Sequence, residues 1–598
     1  MKSASMSPMT GRRIIFLLLF MTMCLLLLIG LLGYIQLFSK TNYQGVNLVS
    51  SSINQRSRSV VLDVGRGDIL DRYGRSLTGK AESSLLILPR DSMTLVEETD
   101  QYGRLADILQ VDVTQLIDTI SAVKYPKLLE INRTVLQLDQ EQKRQVGDLQ
   151  ISGLFVVEHK QRYTDASPAK HVVGFIGEDY ETIQKKYGRF LEAGVFSATD
   201  LIGKSGLEAM YELELRSEGA TQISYYVYQD RNLQLHPYYG LGLQYQKSSN
   251  QHRPANVITT LDYDIQEFVE KNMQNYGIKQ GSIVVLDVVN GDILAMASAP
   301  DYNQQAIDME QFHATRNRAV TANFPGSVFK TVIAAAVLEE ELVTNSDLFT
   351  CEGKLEFAGG QVLHCWKEHG TMNFTEAFAD SCNVVFAQLA IELGRDKIVQ
   401  YADALGVYDK AGYYDKVLAR GQLYQEEAGS VFQVEGANGQ LLANTGIGQQ
   451  DVKMTPLQAA NLMATIANLG ERHESRIVTE IRGKNGHSIR KFPEQSSNVE
   501  ISRHTIYRLQ KLLEAVTTTG TGKDIGAAGI SAVGKTGTAE LGNNGRVHRW
   551  FTGYFPAKYP KYAVTVMVED VASYEHVSTP VNMFIDIAKE LTAEQERK

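Results

Sequence analysis

From Ile14 to Ile35 the chain is an almost unbroken apolar run, with Thr22 its one clearly polar member. About 20 such residues cross the hydrocarbon core of a bilayer as a helix. Lys2, Arg12 and Arg13 precede the run, whereas the flank after it is mostly polar and neutral. Basic residues stay on the cytoplasmic side, so the amino terminus is expected inside and everything after about Ser39 outside. A cleaved signal peptide is the competing reading. It would have an apolar stretch of about 7–15 residues and then a small-x-small site. This run is longer, and Tyr34-Ile35-Gln36-Leu37 contains no such site, so a retained anchor is expected.

At 598 residues the chain exceeds one hydrophobic core and suggests roughly two to four domains. With 43% hydrophobic and 21% charged residues and only 13 prolines, it has the composition of a folded protein. A net charge of −10 argues against a nucleic-acid partner, which leaves an enzyme or a binding module. Four cysteines are too few for a disulfide framework. Cys24 lies in the apolar run, and Cys351 and Cys365 bracket a glycine-rich loop where they could pair outside the cell. A zinc cluster of Cys351, His364, Cys365 and His369 has irregular spacing, and adjacent His364 and Cys365 cannot easily both turn inward. Loop residues or a disulfide fit better, so neither a metal nor an organic cofactor is expected.

The chain divides into a tail over 1–13, the anchor over 14–37, a mixed polar and charged region over 38–250, and a second domain over 251–598. In that second domain two β-rich apolar runs meet at Asn290-Gly291, a hairpin signal because a type I′ turn needs positive φ at both central residues. Helical patterns cover much of 327–345, 374–406 and 455–470, and Trp550–Tyr554 and Tyr562–Val568 read as further strands. Sheet with segregated helices is an α+β arrangement.

Three motifs follow in order: Ser327-Val328-Phe329-Lys330, Ser381-Cys382-Asn383 and Lys535-Thr536-Gly537-Thr538. Each is weak alone, and Ser-x-x-Lys recurs at Ser121/Lys124, Ser167/Lys170 and Ser488/Lys491. Their contexts carry more. Pro325-Gly326 stops a loop and Ser327 opens an apolar helix, which puts Ser327 and Lys330 on one side at i and i+3. A serine hydroxyl needs a base, and a lysine serves if burial and a second cation, here Lys535, lower its pKa. An ordinary helix cap is the bland reading for both Ser327 and Ser381. Gly529, Gly534, Lys535 and Thr536 also fit a P-loop. That loop must open a helix, whereas Gly537 and then Gly542-Asn543-Asn544-Gly545 break one. A strand turning at 542–545 fits better. Gly537 would let a peptide lie close, and Lys535, Thr536 and Thr538 would bind a terminal carboxylate.

The ordered set resembles that of penicillin-binding proteins. The resemblance spans roughly residues 50–585 and extends to Asn317-Arg318-Ala319, Phe324-Pro325-Gly326, His369-Gly370, Thr445-Gly446-Ile447-Gly448-Gln449 and Thr455-Pro456-Leu457-Gln458. Phe324 stands where tyrosine is more usual. Arg66–Gly74, Ala169–Gly174 and Gly203–Glu208 resemble segments that join the pedestal of class B members to their catalytic domain, although Leu215–Gly219 departs from the usual continuation. The resemblance implies a transmembrane helix, an elongated mixed α/β pedestal or dimerisation domain over 38–250, and a transpeptidase domain over 251–598 with an antiparallel sheet flanked by helices. It implies that Ser327 attacks the penultimate D-alanine of a stem peptide and that an amine from a neighbouring strand resolves the acyl-enzyme. Ser381 would relay a proton and Asn383 would bind the substrate amide. Backbone N–H groups of Ser327 and Thr538 would form the oxyanion hole. β-Lactams would acylate Ser327. Arg66, Asp71, Arg72 and Glu208 would form the pedestal network. Implied partners are stem peptides on lipid-linked glycan strands, the cytoplasmic membrane and a membrane glycosyltransferase. A β-lactam sensor or β-lactamase, and a non-catalytic scaffold, are the readings to be separated from this one.

Overall fold

Alternation along one strand decides how the carboxy-terminal half must pack. In Gly281–Asp287 (β1), Ile283 and Val285 point to one side and Val284 and Leu286 to the other, and all four are fully buried. Such a strand needs cover on both faces. The computed structural model describes residues 8–37, 57–89, 99–132, 134–217, 219–229, 235–237, 243–246, 254–307, 311–344, 346–433, 438–542 and 544–597, and it supplies both covers. β1 pairs with Ile293–Ala299 (β2) and with the last of three later strands, Val533–Glu540 (β3), Arg546–Phe555 (β4) and Tyr562–Ala572 (β5). The order is β2-β1-β5-β4-β3, antiparallel throughout, which leaves β3 at an edge.

Helix α2 (Tyr263–Asn275) and the carboxy-terminal helix Thr579–Arg597 bury Val269, Met273, Phe584 and Ile587 against the Ile283/Val285 face. On the other face lies Pro456–Ala467, started by a Thr455/Gln458 capping box with proline in its first turn. The same core continues through α3 (Lys330–Glu339), Phe374–Ala379 (α4), Asn383–Ala404 (α5) and Arg503–Thr518. Every residue of α3 from Lys330 to Leu338 is buried, as expected of a helix that is apolar on all sides. Each such Val, Leu or Ile contributes about 1.5–3 kcal/mol by leaving water.

Two local expectations need correction. Only Gly291 of the Asn-Gly pair has positive φ, 74°, so the β1–β2 connection is a longer loop and no type I′ turn. Asx bonds stitch it: Val289 N donates to Asp287 Oδ1 and Asp292 N to Asn290 Oδ1, each at 2.9 Å. The helical stretch over 374–406 is interrupted between α4 and α5, where Ser381 has φ 55°, and again at Gly394 with φ 72°.

By their contacts the residues form two units, Met1–Asp63 with Glu82–His159 and Ala220–Lys247, and Val64–Ala81 with Lys160–Gly219 and Ser248–Lys598. This grouping cuts across a linear division at residue 250. Its cause is local: Ile69–Leu70 pairs in parallel with Ala255–Thr259, which pairs with Val478–Gly483. In the other unit, Leu85, Ile87, Tyr102, Leu105, Leu116 and Ile120 form a core between the strand Ala81–Ile87 and helices Thr99–Leu109 and Val113–Ser121. Its second sheet pairs Ser57–Asp63 with Thr221–Gln229. Helix Pro8–Leu37 (α1) contains the 22-residue segment Arg13–Tyr34, with mean hydropathy 3.0 and its side chains exposed. It is the one helix among the described residues long and apolar enough to cross a membrane. Residues 1–7 of the expected tail, residues 38–56, Glu218 and Asn543 lie outside the described residues.

Candidate active site

Glycines let three backbone segments close on one another around Ser327. Gly326 has φ 54°, and a Cβ there would meet Thr538 O at 2.2 Å. Gly448, φ 75°, would place a Cβ 1.9 Å from Gly326 O, and Gly326 N donates to Gly448 O at 3.0 Å. Only glycine tolerates positive φ together with such an approach. The serine turn is thereby clamped between edge strand β3 and the Thr445–Gln449 segment. Ser327 lies in a 3-10 turn, Gly326–Val328, and α3 begins at Lys330. The residue capping α3 is Phe329, which makes no side-chain cap bond, so the helix-cap reading of Ser327 fails.

Lys330 sits fully buried at the start of α3 and Lys535 fully buried on β3. Their ammonium groups converge on Ser381. Lys330 Nζ donates to Ser381 O at 2.7 Å, to Asn383 Oδ1 at 2.8 Å and to Ser381 Oγ at 3.3 Å. Lys535 Nζ donates to Ser381 Oγ at 3.0 Å and to Thr536 O at 3.3 Å. Phe386 and Phe378 floor the two cations, each ring 5.5 Å from its Nζ. Burial lowers Lys330 to about 7, with Cys382 and Cys365 opposing. Burial, and then the charge of Lys330, holds Lys535 well below the usual lysine range. The mutual repulsion therefore acts on Lys535, where the sequence argument had placed it on Lys330. Ser381 does not cap α5 either: the cap position is Cys382, with no side-chain cap bond. Its left-handed backbone turns the hydroxyl between the two lysines.

Other expected residues are engaged differently. Asn383 spends its amide on Lys330 and on His364 O, at 3.1 Å. A Cβ on Gly537 would meet Pro325 O at 2.7 Å and Trp550 Cβ at 3.0 Å, so this glycine serves the packing of β3 on the serine turn rather than access for a peptide. Thr536 and Thr538 alternate to the opposite side. Thr536 Oγ1 lies 2.7 Å from Thr521 Oγ1, and Thr538 Oγ1 accepts from Arg549 Nη1 at 3.0 Å. Arg549 and Thr521 were not anticipated; pairing of β3 with β4 sets Arg549 opposite Thr538.

The expected network of Arg66, Asp71, Arg72 and Glu208 separates into two clusters. Glu208, fully buried, accepts from Arg66 Nε at 3.1 Å, from Tyr163 Oη at 2.8 Å and from Arg162 Nε. Glu212 adds a second carboxylate, 2.8 Å from Arg66 Nη2. Asp71 instead accepts from Arg75, at 2.7 Å, and Arg75 also reaches Asp264 at 2.8 Å. Arg72 is exposed and rests over the Tyr73 ring at 5.8 Å, so Arg75 takes the place expected for it.

All four cysteines are free, and the pairing of Cys351 with Cys365 is not formed. Cys351, Cys365, His369 and Cys382 instead gather, their donor atoms all within 4.8 Å of one another. His364 faces outward. The member missed in the sequence is Cys382, the middle residue of the second motif.

Residues 281–589 match the family described as the penicillin binding protein transpeptidase domain, and residues 61–235 match the penicillin-binding protein dimerisation domain. The chain is 28% identical over 584 residues to stage V sporulation protein D of Bacillus subtilis, covering 94% of this chain and 82% of that one. It is 31% identical over 347 residues to the peptidoglycan D,D-transpeptidase PbpA of Mycolicibacterium smegmatis, covering 53% of this chain and 68% of that protein. Among solved structures, a chain of a peptidoglycan synthase complex superposes with a TM-score of 0.63 at 22% identity, over 97% of this chain and 98% of that one. The motif order, the buried lysine pair about Ser381 and these matches agree: the chain belongs to the penicillin-binding protein transpeptidase family and is a class B peptidoglycan D,D-transpeptidase, a cell-wall crosslinking enzyme that forms a serine acyl-enzyme and binds β-lactams.

Proposed function

We propose that Ser327 is the nucleophile, Lys330 its base and Ser381 the proton relay between Lys330 and Lys535. The observation that carries this is the Ser381 hydroxyl, within hydrogen-bond reach of both buried lysines. In the neutral form, Lys330 takes the proton of Ser327 Oγ as that oxygen attacks the carbonyl carbon of the penultimate D-alanine. The peptide C–N bond then breaks, and D-alanine leaves with a proton delivered through Ser381. An acceptor amine attacks the ester, and Ser327 Oγ recovers its proton. The backbone N–H groups of Ser327 and Thr538 are suited to the oxyanion because Gly326 brings the two segments into contact. Thr536 and Thr538, with Arg549 beside them, present hydroxyl and cationic groups to the substrate's terminal carboxylate, while buried Lys535 lies on the other side of the strand. A peptide can lie along β3, the edge strand.

Residues 14–37 serve as the anchor, with Lys2, Arg12 and Arg13 inside and the catalytic domain outside. Residues 38–250 serve as the pedestal and 251–598 as the transpeptidase domain. A membrane glycosyltransferase would supply the glycan strands, a reading supported by the fold shared with a chain from a synthase complex. Labelling of purified full-length chain with a fluorescent penicillin tests the roles. Ser327→Ala should abolish labelling while leaving the melting curve unchanged, and Lys330→Arg should do the same because arginine cannot give up its proton. Labelling of Ser327→Ala at another residue, or near-normal acylation of Lys330→Arg, would rule out the assignment.

A further inference from the structure

Three neighbouring segments between Leu348 and Asn383 deliver the sulfur and nitrogen cluster, and backbone bonds fix each of them. Cys351 ends strand Leu348–Cys351, and His369 N donates to Cys351 O at 3.2 Å. Cys365 N donates to Gly353 O and Cys382 N to Ala377 O, both at 2.8 Å. Within the cluster, His369 Nδ1 lies 3.6 Å from Cys351 Sγ and 3.5 Å from Cys365 Sγ, and Cys365 Sγ lies 3.9 Å from Cys382 Sγ. A tetrahedral zinc ion with Zn–S of about 2.3 Å and Zn–N of about 2.0 Å has edges of about 3.8 Å between sulfurs and about 3.5 Å between sulfur and nitrogen. These three separations match those edges, and the remaining ones lie within 4.8 Å. Three thiolates and one imidazole form a recognised structural zinc set, and soft sulfur donors select zinc over magnesium or calcium. The second nitrogen, His369 Nε2, is buried without a protein partner; a metal on Nδ1 would fix the tautomer that nothing else fixes.

The cluster also touches the catalytic turn. Cys382 lies between Ser381 and Asn383, and Asn383 N donates to Cys365 Sγ at 3.2 Å. Ser381 O, Ser381 Oγ and Asn383 Oδ1 are the three acceptors of Lys330. We propose that Cys351, Cys365, His369 and Cys382 bind one zinc ion, and that this ion holds the Ser381–Asn383 turn in the shape that seats Lys330. Binding displaces the thiol protons and leaves four protein ligands with no open position, so the ion's role is structural. The ligand set stands on geometry alone; its effect on acylation rests on the catalytic reading above.

Bound metal is measured by mass spectrometry of the full-length chain in detergent, after exchange into chelator-free buffer. About one zinc per chain is expected, with Cys351→Ser and His369→Ala losing occupancy by about tenfold or more. Cobalt exchanged into the native chain should give the visible absorption of a tetrahedral thiolate site. Ser327→Ala should keep the metal and lose penicillin labelling, which separates failure of the site from failure of the catalytic assignment. Stripping zinc from the native chain should slow labelling by about tenfold or more, and adding it back should restore the rate, a cycle that does not depend on any variant folding. A chain that holds almost no zinc after equilibration with it, or whose denatured mass reveals a Cys365–Cys382 disulfide, overturns the site. Unchanged labelling after complete stripping overturns the positioning role.

Discussion

Replacing Glu208 with glutamine should destabilise the whole catalytic unit. Glu208 is buried with Arg66 and Arg162, which are themselves only 5% and 6% exposed. Its two oxygens accept from Arg66 Nε at 3.1 Å, from Tyr163 Oη at 2.8 Å and from Arg162 Nε. Glutamine keeps the shape but loses the charge, and its amide N–H₂ turns two donors toward groups that are all donors. Arg66 retains Glu212 at 2.8 Å. Arg162 retains only Gly67 O at 3.1 Å, so its guanidinium becomes a buried charge without a bonded carboxylate. Breaking a buried ion pair from one side costs about 3–5 kcal/mol, well above the 0–1 kcal/mol of exposed pairs. The unit holds 429 residues, and an unfolding entropy of about 2.1 cal/mol/K per residue turns that loss into a fall of about 3–6 °C in Tm. Calorimetry and penicillin labelling on the same variant read the effect: Tm falls, and labelling at 20 °C persists while the unit stays folded. A Tm within 1 °C of the parent would refute the reasoning and reduce the cluster to an ordinary surface pairing.

Gly448→Ala should slow penicillin labelling and lower stability by about 2 kcal/mol or more, because it sets a Cβ 1.9 Å from Gly326 O at φ 75°; a normal labelling rate would show that the serine turn is not clamped there. Ser381→Ala should reduce the acylation rate by about 10²–10⁴ with little change in Tm, and retained acylation would place the relay elsewhere. Burial pushes the Glu426 carboxyl up from 4.5 to about 7. The folded chain therefore binds the proton more readily than the unfolded one, and stability falls as pH rises through that window, by about 3 kcal/mol for this group. Glu426→Gln should flatten that part of the profile in denaturant titrations at several pH values; an unchanged slope would assign it to other groups.

The features legible in the sequence were those set by local pattern. Near-continuous apolar runs in β1, β2 and β5 report strands covered on both faces, and Lys330–Glu339 reads as a core helix because it is apolar on every side. The three motifs were legible for the same reason, each lying within three or four consecutive residues. Proximity between loops was not. Cys382 looked like filler in Ser-x-Asn because its cluster partners come from 351, 365 and 369. Gly537 looked open to a substrate because the Pro325 and Trp550 contacts against it arise only when β3 and β4 pair beside the serine turn. Arg75 replaced Arg72 because the turn closed by Asp71 N donating to Arg75 O brings Arg75 back to the Asp71 carboxylate.

The charge state of the site fits the terminal carboxylate of the proposed substrate. Two lysines meet over one hydroxyl, both fully buried, and among the described residues neither has a carboxylate partner. Two ammonium groups so placed repel and lack the solvation that water gave them. Burial lowers both lysines, Lys330 to about 7, so an uncharged amine, the form a base requires, is accessible near neutral pH without any acidic neighbour. A carboxylate in the pair's own shell would remove that advantage by stabilising both charges. On the proposed reading the countercharge comes with the ligand, as a terminal carboxylate at Thr536, Thr538 and Arg549 on the exposed side of β3, while Lys535 lies behind the same strand. One strand's alternation thus separates the two sets of groups: the hydroxyls of Thr536 and Thr538 lie on its exposed side, and Lys535 faces the core beside Lys330.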